Sequence, residues 1–233
     1  MKNLVKEMFF KYGYDLTERQ VEQFCLYYDF LMEENKKYNL TAITEPKDVV
    51  LKHFIDSVIG EKFIRNGSSV IDVGTGAGFP GVPLKIVRQD IKLTLLDSLQ
   101  KRINFLNELL RKLGINDVIT VHERSEDYCQ KHREMFDVAL SRAVAPMVTL
   151  SEYLLPFVKV GGKVLMYKGA KLEEELSESR KAIEILGGKV KICHSFKLEE
   201  IDSERFILEI DKVKRTDKKY PRGKNLPRVK PLK

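Results

Sequence analysis

No stretch of this 233-residue chain approaches the ~18 consecutive apolar residues that a membrane-spanning helix needs. The opening MKNLVKEMFFKYGYD mixes charges among its hydrophobes and lacks the apolar centre and small-residue cleavage site of a secretory signal. A cytoplasmic protein is therefore expected. Cysteine is scarce: Cys25, Cys129 and Cys193 form no CxxC pair and no Cys/His pair at zinc spacing, and the four histidines are scattered. Buried, reduced thiols and no metal are expected. Internal repeats are absent too. What is present, 43% hydrophobic and 32% charged residues, suits one α/β domain with additions.

The charge is unevenly placed. Residues 211 to 233 hold ten Lys or Arg against Asp211 and Asp217, a local excess of +8, while the whole chain carries +7. Residues 1 to 210 are thus close to neutral, at −1. A basic block of this kind is an electrostatic footprint for a polyanion, bound through counterion release. A solvated terminus is the plainer alternative. Pro221, Pro227, Pro231, Tyr220 and Leu226 make the segment less featureless than a simple Lys-rich arm.

Along the chain, residues 1 to 60 read as a helical segment covering the core. Thr17-Glu-Arg-Gln20 is a capping box, and Val21, Phe24, Cys25, Tyr28, Leu31 and Met32 follow at helical spacing. Asn39-Leu40-Thr41 interrupts that helix. Pro46 then fits the first turn of another, carrying Val49, Val50, Phe54 and Val58. Over residues 61 to 210 the period changes. Strands are predicted at SSVIDVG, KLTLLDS, VITVH, FDVALS, KVLMYK, VKICHSF and RFILEI. Helices separate them: one capped by Ser98 and stopped by Gly114, one from Met147 to Val158, and one from Lys171 to Leu186. Gly161-Gly162 is read as a turn. The alternation implies a mostly parallel sheet covered on both faces, while the short DSER connection makes the last two strands an antiparallel edge pair. Residues 211 to 233 form the basic tail.

Asp72-Val-Gly74-Thr-Gly76-Ala-Gly78-Phe-Pro-Gly81 follows the first strand and opens a helix. In that position glycines let backbone approach a ligand at a helix N-terminus. Asp97 ends the second strand, where an acid accepts hydrogen bonds from ribose hydroxyls. Both features suit NAD and S-adenosylmethionine alike. Three others favour methyl transfer over hydride transfer. Asp72 precedes the first glycine, where a diphosphate would be repelled but an amino group could be held through neighbours or water. Pro80 removes a donor that a pyrophosphate would use. No second domain follows to carry a hydride acceptor.

Further motifs make the chain resemble the RsmG family, also called glucose-inhibited division protein B. They are Asn39-Leu-Thr-Ala-Ile43, His53-x-x-Asp56-Ser57, the glycine loop, Ser141-Arg142-Ala143, Lys168-Gly169, Lys218-Lys-Tyr-Pro-Arg222, and Pro227 to Leu232. The resemblance covers nearly the whole chain. It implies a Rossmann-like class I methyltransferase sheet with a helical N-terminal extension and a basic tail. The implied enzyme methylates N7 of a guanine in 16S ribosomal RNA. Its cofactor would be S-adenosyl-L-methionine, its partner the small ribosomal subunit or an assembly intermediate, and its state a monomer. By position the cofactor site includes Gly74 and Phe79, Ser125-Glu126 beside the adenine, and Arg142 facing the methionine part and the target. Ser125 departs from the family's commoner alanine, and Arg222-Gly223-Lys224-Asn225-Leu226 is less rich in proline and glycine than the family's tail.

Guanine N7 carries a lone pair and needs no deprotonation, so proximity, orientation and electrostatics suffice. The chain has no Asn/Asp-Pro-Pro-aromatic motif for an exocyclic amine and no Pro-Cys nucleophile. Arg142 is the leading catalytic candidate, as an orienting cation without a general base. Asp72, Gly74, Gly76, Gly78, Phe79, Asp97, Ser125 and Glu126 complete the expected cofactor set. Lys168, Lys218, Lys219, Tyr220, Arg222 and Arg228 are expected on RNA, with Tyr220 as a base-stacking candidate. Asn39, His53 and Asp56 are candidate site-lining residues, the last two sharing a helix face. A small-molecule methyltransferase, or a non-catalytic RNA-binding protein that retains the fold, would keep the sheet and the loop; salt-sensitive RNA binding and methyl transfer separate them.

Overall fold

The computed structural model describes residues 1–142, 145–169, 172–199 and 203–232. Ala143 of the Ser-Arg-Ala motif, Lys171 at the expected start of a helix, Asp202 of the DSER connection and Lys233 lie outside the described residues.

The N-terminal segment is helical for the reasons its sequence gives. Helix α1 (Lys2–Lys11) precedes α2 (Glu18–Tyr38), whose capping box is formed in full: the Thr17 hydroxyl accepts from the Gln20 N–H and the Gln20 side chain accepts from the Thr17 N–H. Asn39 ends α2 in a left-handed conformation (φ 49°), its N–H donating to the Asn35 carbonyl. Pro46 sits in the first turn of α3 (Pro46–Val49). The chain then widens into a π-helical stretch, Val50–Ile55, before α4 (Asp56–Val58) and a 3₁₀ turn, Ile59–Phe63. The π stretch was not foreseen, and it holds His53.

Seven strands form one sheet: β1 (Ser69–Val73), β2 (Lys92–Asp97), β3 (Val118–His122), β4 (Phe136–Arg142), β5 (Val158–Lys168), β6 (Gly188–Leu198) and β7 (Ser203–Lys212). Their order is β3-β2-β1-β4-β5-β7-β6. The first five run parallel, and β7 is antiparallel to both β5 and β6. Helices α5 (Gly81–Val87), α6 (Gln100–Leu113), α7 (Ser125–Lys131), α8 (Met147–Leu154) and α9 (Leu172–Ile185) make the crossovers, and a short α10 (Leu226–Val229) lies in the tail. This is the expected Rossmann-like sheet with an antiparallel pair at one edge. From β1 the chain builds outward through β2 to β3 and then crosses back to β4 on the other side of β1, a reversal that opens a crevice at the carboxyl ends of β1 and β4.

Three local expectations are corrected. Ser98 does not cap α6: Leu99 is the capping position, and its N–H donates to Asp97 Oδ1 at 3.0 Å. Helix α8 stops at Leu154, because Pro156 follows in a 3₁₀ turn and Val158 already pairs with Phe136 in the sheet. Gly161-Gly162 lies inside β5 at an irregularity, not at a turn before it. There a side chain on Gly162 would strike the Asp137 carbonyl. Gly114 does end α6 in the left-handed region (φ 64°).

Each face of the sheet has its own core. One gathers the N-terminal helices, α5 and α6 around Phe9, Phe24, Tyr27 and Phe54; the other gathers α8, α9 and the tail around Leu154, Phe157, Ile183 and Tyr220. Cys25 and Cys129 are buried free thiols, whereas Cys193 is only half-buried. Among the described residues no helix is long and apolar enough to cross a membrane.

Candidate active site

The glycine loop takes its shape from three left-handed residues, Gly74 (φ 71°), Gly76 (φ 61°) and Gly78 (φ 97°), a conformation costly for other side chains. Gly81 serves a different need. A Cβ there would lie 2.6 Å from Leu95 and 2.8 Å from Asp72 Oδ2; its absence lets the Gly81 N–H donate to that oxygen at 2.9 Å. Asp72 is fully buried beneath the loop, and its Oδ1 has no hydrogen-bond partner. Burial pushes this carboxyl up to about 6, against the Gly81 N–H and the charge of Arg142. Asp72 does not itself line the cavity above the loop; it ties the loop to α5 from below. Gly78 likewise faces inward, onto Tyr27 and Leu106.

Above the loop lies a cavity of about 590 Å³. Gly74, Gly76 and Phe79 line it from the loop, Asp97 from the end of β2, Ser125 and Glu126 from the start of α7, and Arg142 from the end of β4. Asp97 is fixed by three donors: the Gly76 N–H (3.0 Å) and Arg102 (3.1 Å) on Oδ2, and the Leu99 N–H on Oδ1. Glu126 is almost wholly buried on the cavity wall, and its Oε1 has no partner. An unsatisfied acceptor in such a place costs stability unless a ligand donates to it.

At the other end the N-terminal segment meets β4. Arg142 donates to Asp56 Oδ2 at 2.6 Å and to the Lys52 carbonyl at 3.1 Å, and its guanidinium lies 5.0 Å from the centre of the Phe79 ring. His53 stacks on the same ring at 4.5 Å. A guanidinium only donates, so His53 Nδ1, 3.3 Å from Arg142, accepts. The ring proton is then on Nε2, which donates to the Thr41 hydroxyl at 2.8 Å. Burial, reinforced by the charge of Arg142, lowers His53 from the usual 6.5 to about 3. Arg205 adds a second cation on Asp56 Oδ1 at 3.3 Å. His53 and Arg142 also line a second cavity of about 700 Å³, shared with Lys52, Asp56, Tyr167, Lys168 and Glu175. The two residues form a wall between the cavities.

The other expected residues divide. His53 and Asp56 are brought to Arg142, but Asn39 is the α2 cap, and Thr41 lines the cavity in its place. Lys168 is nearly buried and bound to Glu175 at 2.6 Å. In the tail the structure contradicts one expectation, base stacking by Tyr220. Tyr220 is buried in the second core and presents no free face for stacking. Arg222 forks onto the buried carboxylate of Glu152 at 2.7–3.2 Å. Lys219 pairs with Asp217 at 3.5 Å and covers Tyr220, whereas Lys218 and Arg228 are exposed. Sequence reasoning missed Arg102, Arg124, Tyr153 and Asn225, all on the first cavity. Only Arg102 left a trace, as the cation one helical turn beyond Asp97. Among the described residues no group of His, Cys, Asp or Glu could hold a metal ion.

Comparison with known proteins places this geometry in context. A family model described as "rRNA small subunit methyltransferase G" (GidB) matches residues 20–205. The "Ribosomal RNA small subunit methyltransferase G" of Desulforamulus reducens is 49% identical over 100% of this chain and 97% of that protein. The protein of the same name from Clostridium botulinum is 48% identical over 94% and 93%. Among solved structures, a SAM-dependent methyltransferase from Aquifex aeolicus superposes with a TM-score of 0.53 at 20% identity, covering 77% of this chain and 97% of that one. An rRNA methylase from Streptococcus thermophilus gives 0.51 at 18% identity, over 69% and 95%. At such identities the likeness is one of fold.

Proposed function

This chain belongs to the GidB family of rRNA small subunit methyltransferases G, and we propose that it is an S-adenosylmethionine-dependent enzyme that methylates N7 of a guanine in 16S ribosomal RNA. The residues of the first cavity fit the cofactor. Asp97 stands where ribose hydroxyls would be held, the unpartnered Oε1 of Glu126 offers an acceptor at the start of α7, and Arg142 offers a cation to the methionine carboxylate. The cofactor supplies an electrophilic methyl group on a sulfonium. Guanine N7 would accept that methyl through its lone pair, so that no residue of this chain need remove a proton.

One observation carries the N7 assignment. The two titratable groups beside Arg142 are unfit as general bases. His53 has both ring nitrogens engaged and is held neutral down to about 3, and Asp56 lies between two arginines. Beside Arg142, then, a nucleophile that must lose a proton meets only groups already engaged, whereas N7 needs no acceptor. Arg142 and His53 then position, and exclude water, at the wall where the two cavities meet. The rival small-molecule activity gains nothing from the exposed cations of the tail.

The test is transfer of tritiated methyl from S-adenosylmethionine to 16S RNA and small subunits from a strain lacking the gene, followed by nucleoside analysis. Label in 7-methylguanosine supports the reading, and label in another nucleoside, or none, refutes it. Arg142→Ala should abolish that label; full activity in the variant would remove Arg142 from the chemistry.

A further inference from the structure

The C-terminal segment reaches the cofactor cavity, which composition did not foretell. It is fastened to the body by directional contacts. Lys212 is buried and donates to the Leu155 carbonyl and the Thr216 hydroxyl, each at 2.6 Å. Arg133 donates to the carbonyls of Thr216, Asp217 and Tyr220. Beyond Arg222 and Glu152, Lys224 and Asn225 adopt left-handed conformations (φ 56° and 59°), and the Thr149 hydroxyl donates to the Pro227 carbonyl at 3.0 Å. These contacts set Asn225 and Arg228 into the wall of the first cavity, beside Tyr153.

Arg228 is exposed there, and so is Arg124, the residue before Ser125 on the same wall. Neither forms an ion pair among the described residues, although the exposed Glu123 also lines this cavity. The cofactor has no use for these two cations. Its one anionic group is the carboxylate, for which Arg142 stands at the end of β4, and its sulfonium and ammonium add positive charge of their own. Two unpaired guanidiniums at the mouth of such a cavity suit a phosphate backbone.

We propose that the RNA backbone crosses the mouth of the cofactor cavity on Arg124 and Arg228, so that bound RNA shuts the cofactor in and the cofactor must enter first. This rests on the methyltransferase reading above. The C-terminal segment then serves both ligands: Asn225 walls the cofactor, and Arg228 faces the RNA.

The experiment follows release of tritiated S-adenosylmethionine by rapid filtration after a chase with unlabelled cofactor. It is run with and without 16S RNA that already carries the methyl group, so that no turnover consumes the label, and a gel shift monitors RNA binding. In the native protein RNA should slow release ~10-fold or more at low salt, with the effect fading as salt rises. The double variant Arg124→Glu, Arg228→Glu should release cofactor at the native RNA-free rate and lose the slowing. An unchanged rate in native protein with RNA bound would overturn the proposal. Faster release by the variant without RNA would also overturn it, by assigning the arginines to the cofactor. Native protein that retains no cofactor at all would instead remove the methyltransferase reading beneath it. Thermal melting of the variant checks that both surface changes leave the fold intact.

Discussion

The N-terminal and C-terminal segments both reach the first cavity, and they are attached to the sheet by opposite chemistry. On the N-terminal side Phe9, Phe24, Phe54 and Tyr27 pack ring on ring toward Phe79, at centroid separations of 4.6–5.3 Å. On the C-terminal side the ties are Lys212, Arg133 and the Arg222–Glu152 pair. Apolar burial is strong and non-directional, so it supplies stability and a rigid wall. Buried ion pairs contribute little net stability, because desolvation offsets attraction, but losing one partner is costly. They fix where a segment lies more than how firmly the protein folds. The two sides therefore predict different responses to mutation.

The largest effect is expected where the N-terminal wall grips the site. Asp56→Ala leaves Arg142 and Arg205 without their shared carboxylate. Losing about 3–4 kcal/mol of transition-state positioning would lower kcat/KM by ~10²–10³. Asp56 is a positioning residue, so Asp56→Asn, which keeps an acceptor for Arg142, should recover part of kcat while KM for the cofactor changes little. Equal loss in both variants would mean that charge, not geometry, is what Asp56 provides. Comparable in size, but in stability, is Phe54→Ala, which empties a fully buried site against three aromatic rings. It should cost about 3–5 kcal/mol in urea unfolding, a loss that added salt leaves unchanged.

The C-terminal counterpart is smaller. Arg222→Ala strands the buried carboxylate of Glu152, but Arg222 is itself partly exposed, and about 2–3 kcal/mol is expected. Cofactor affinity should fall with it, because Asn225, which walls the cavity, loses its anchor. A full loss of stability with cofactor affinity intact would show that the tail's position does not matter to the cavity.

The two regions were also unequally legible. Periodicity and the capping box gave the N-terminal helices, because an apolar stripe at helical spacing has only one way to be buried. The mostly parallel sheet followed from alternation and its antiparallel edge from a short connection, and the cavity from the glycine loop and Asp97. The tail was opaque. Ten cations in 23 residues read as one solvated, polyanion-binding block, yet Lys212 and Arg222 find buried or partly buried partners 57 and 70 residues away in sequence. Composition counts charges and cannot pair them. The place of Asp72 was hidden for a related reason: its neighbours along the chain are ligand-facing glycines, while its side chain is buried under the loop. Glu152 and Tyr153 sit in an unremarkable helix, and nothing local marks them.

The mildest test uses pH, because each region holds a basic group that burial drives toward its neutral form. His53 falls from 6.5 to about 3 and Lys212 from 10.5 to about 8, both mainly through burial. In each case the unfolded chain binds a proton that the folded one releases, so stability rises with pH between the two values, at no more than about 1.4 kcal/mol per pH unit per group. For His53 that window is roughly pH 3 to 6.5: stability is lost as pH falls through it and unaffected above it. For Lys212 the window is roughly pH 8 to 10.5: a constant penalty below it is relieved as pH rises through it. Other groups titrate in the same ranges, so the informative quantity is the difference between variant and native protein. His53→Gln should flatten the acid limb alone, and Lys212→Met the alkaline limb alone. If either variant altered both limbs, the two attachments would be coupled through the sheet, and the division between a rigid apolar wall and a polar, position-setting strap would fail.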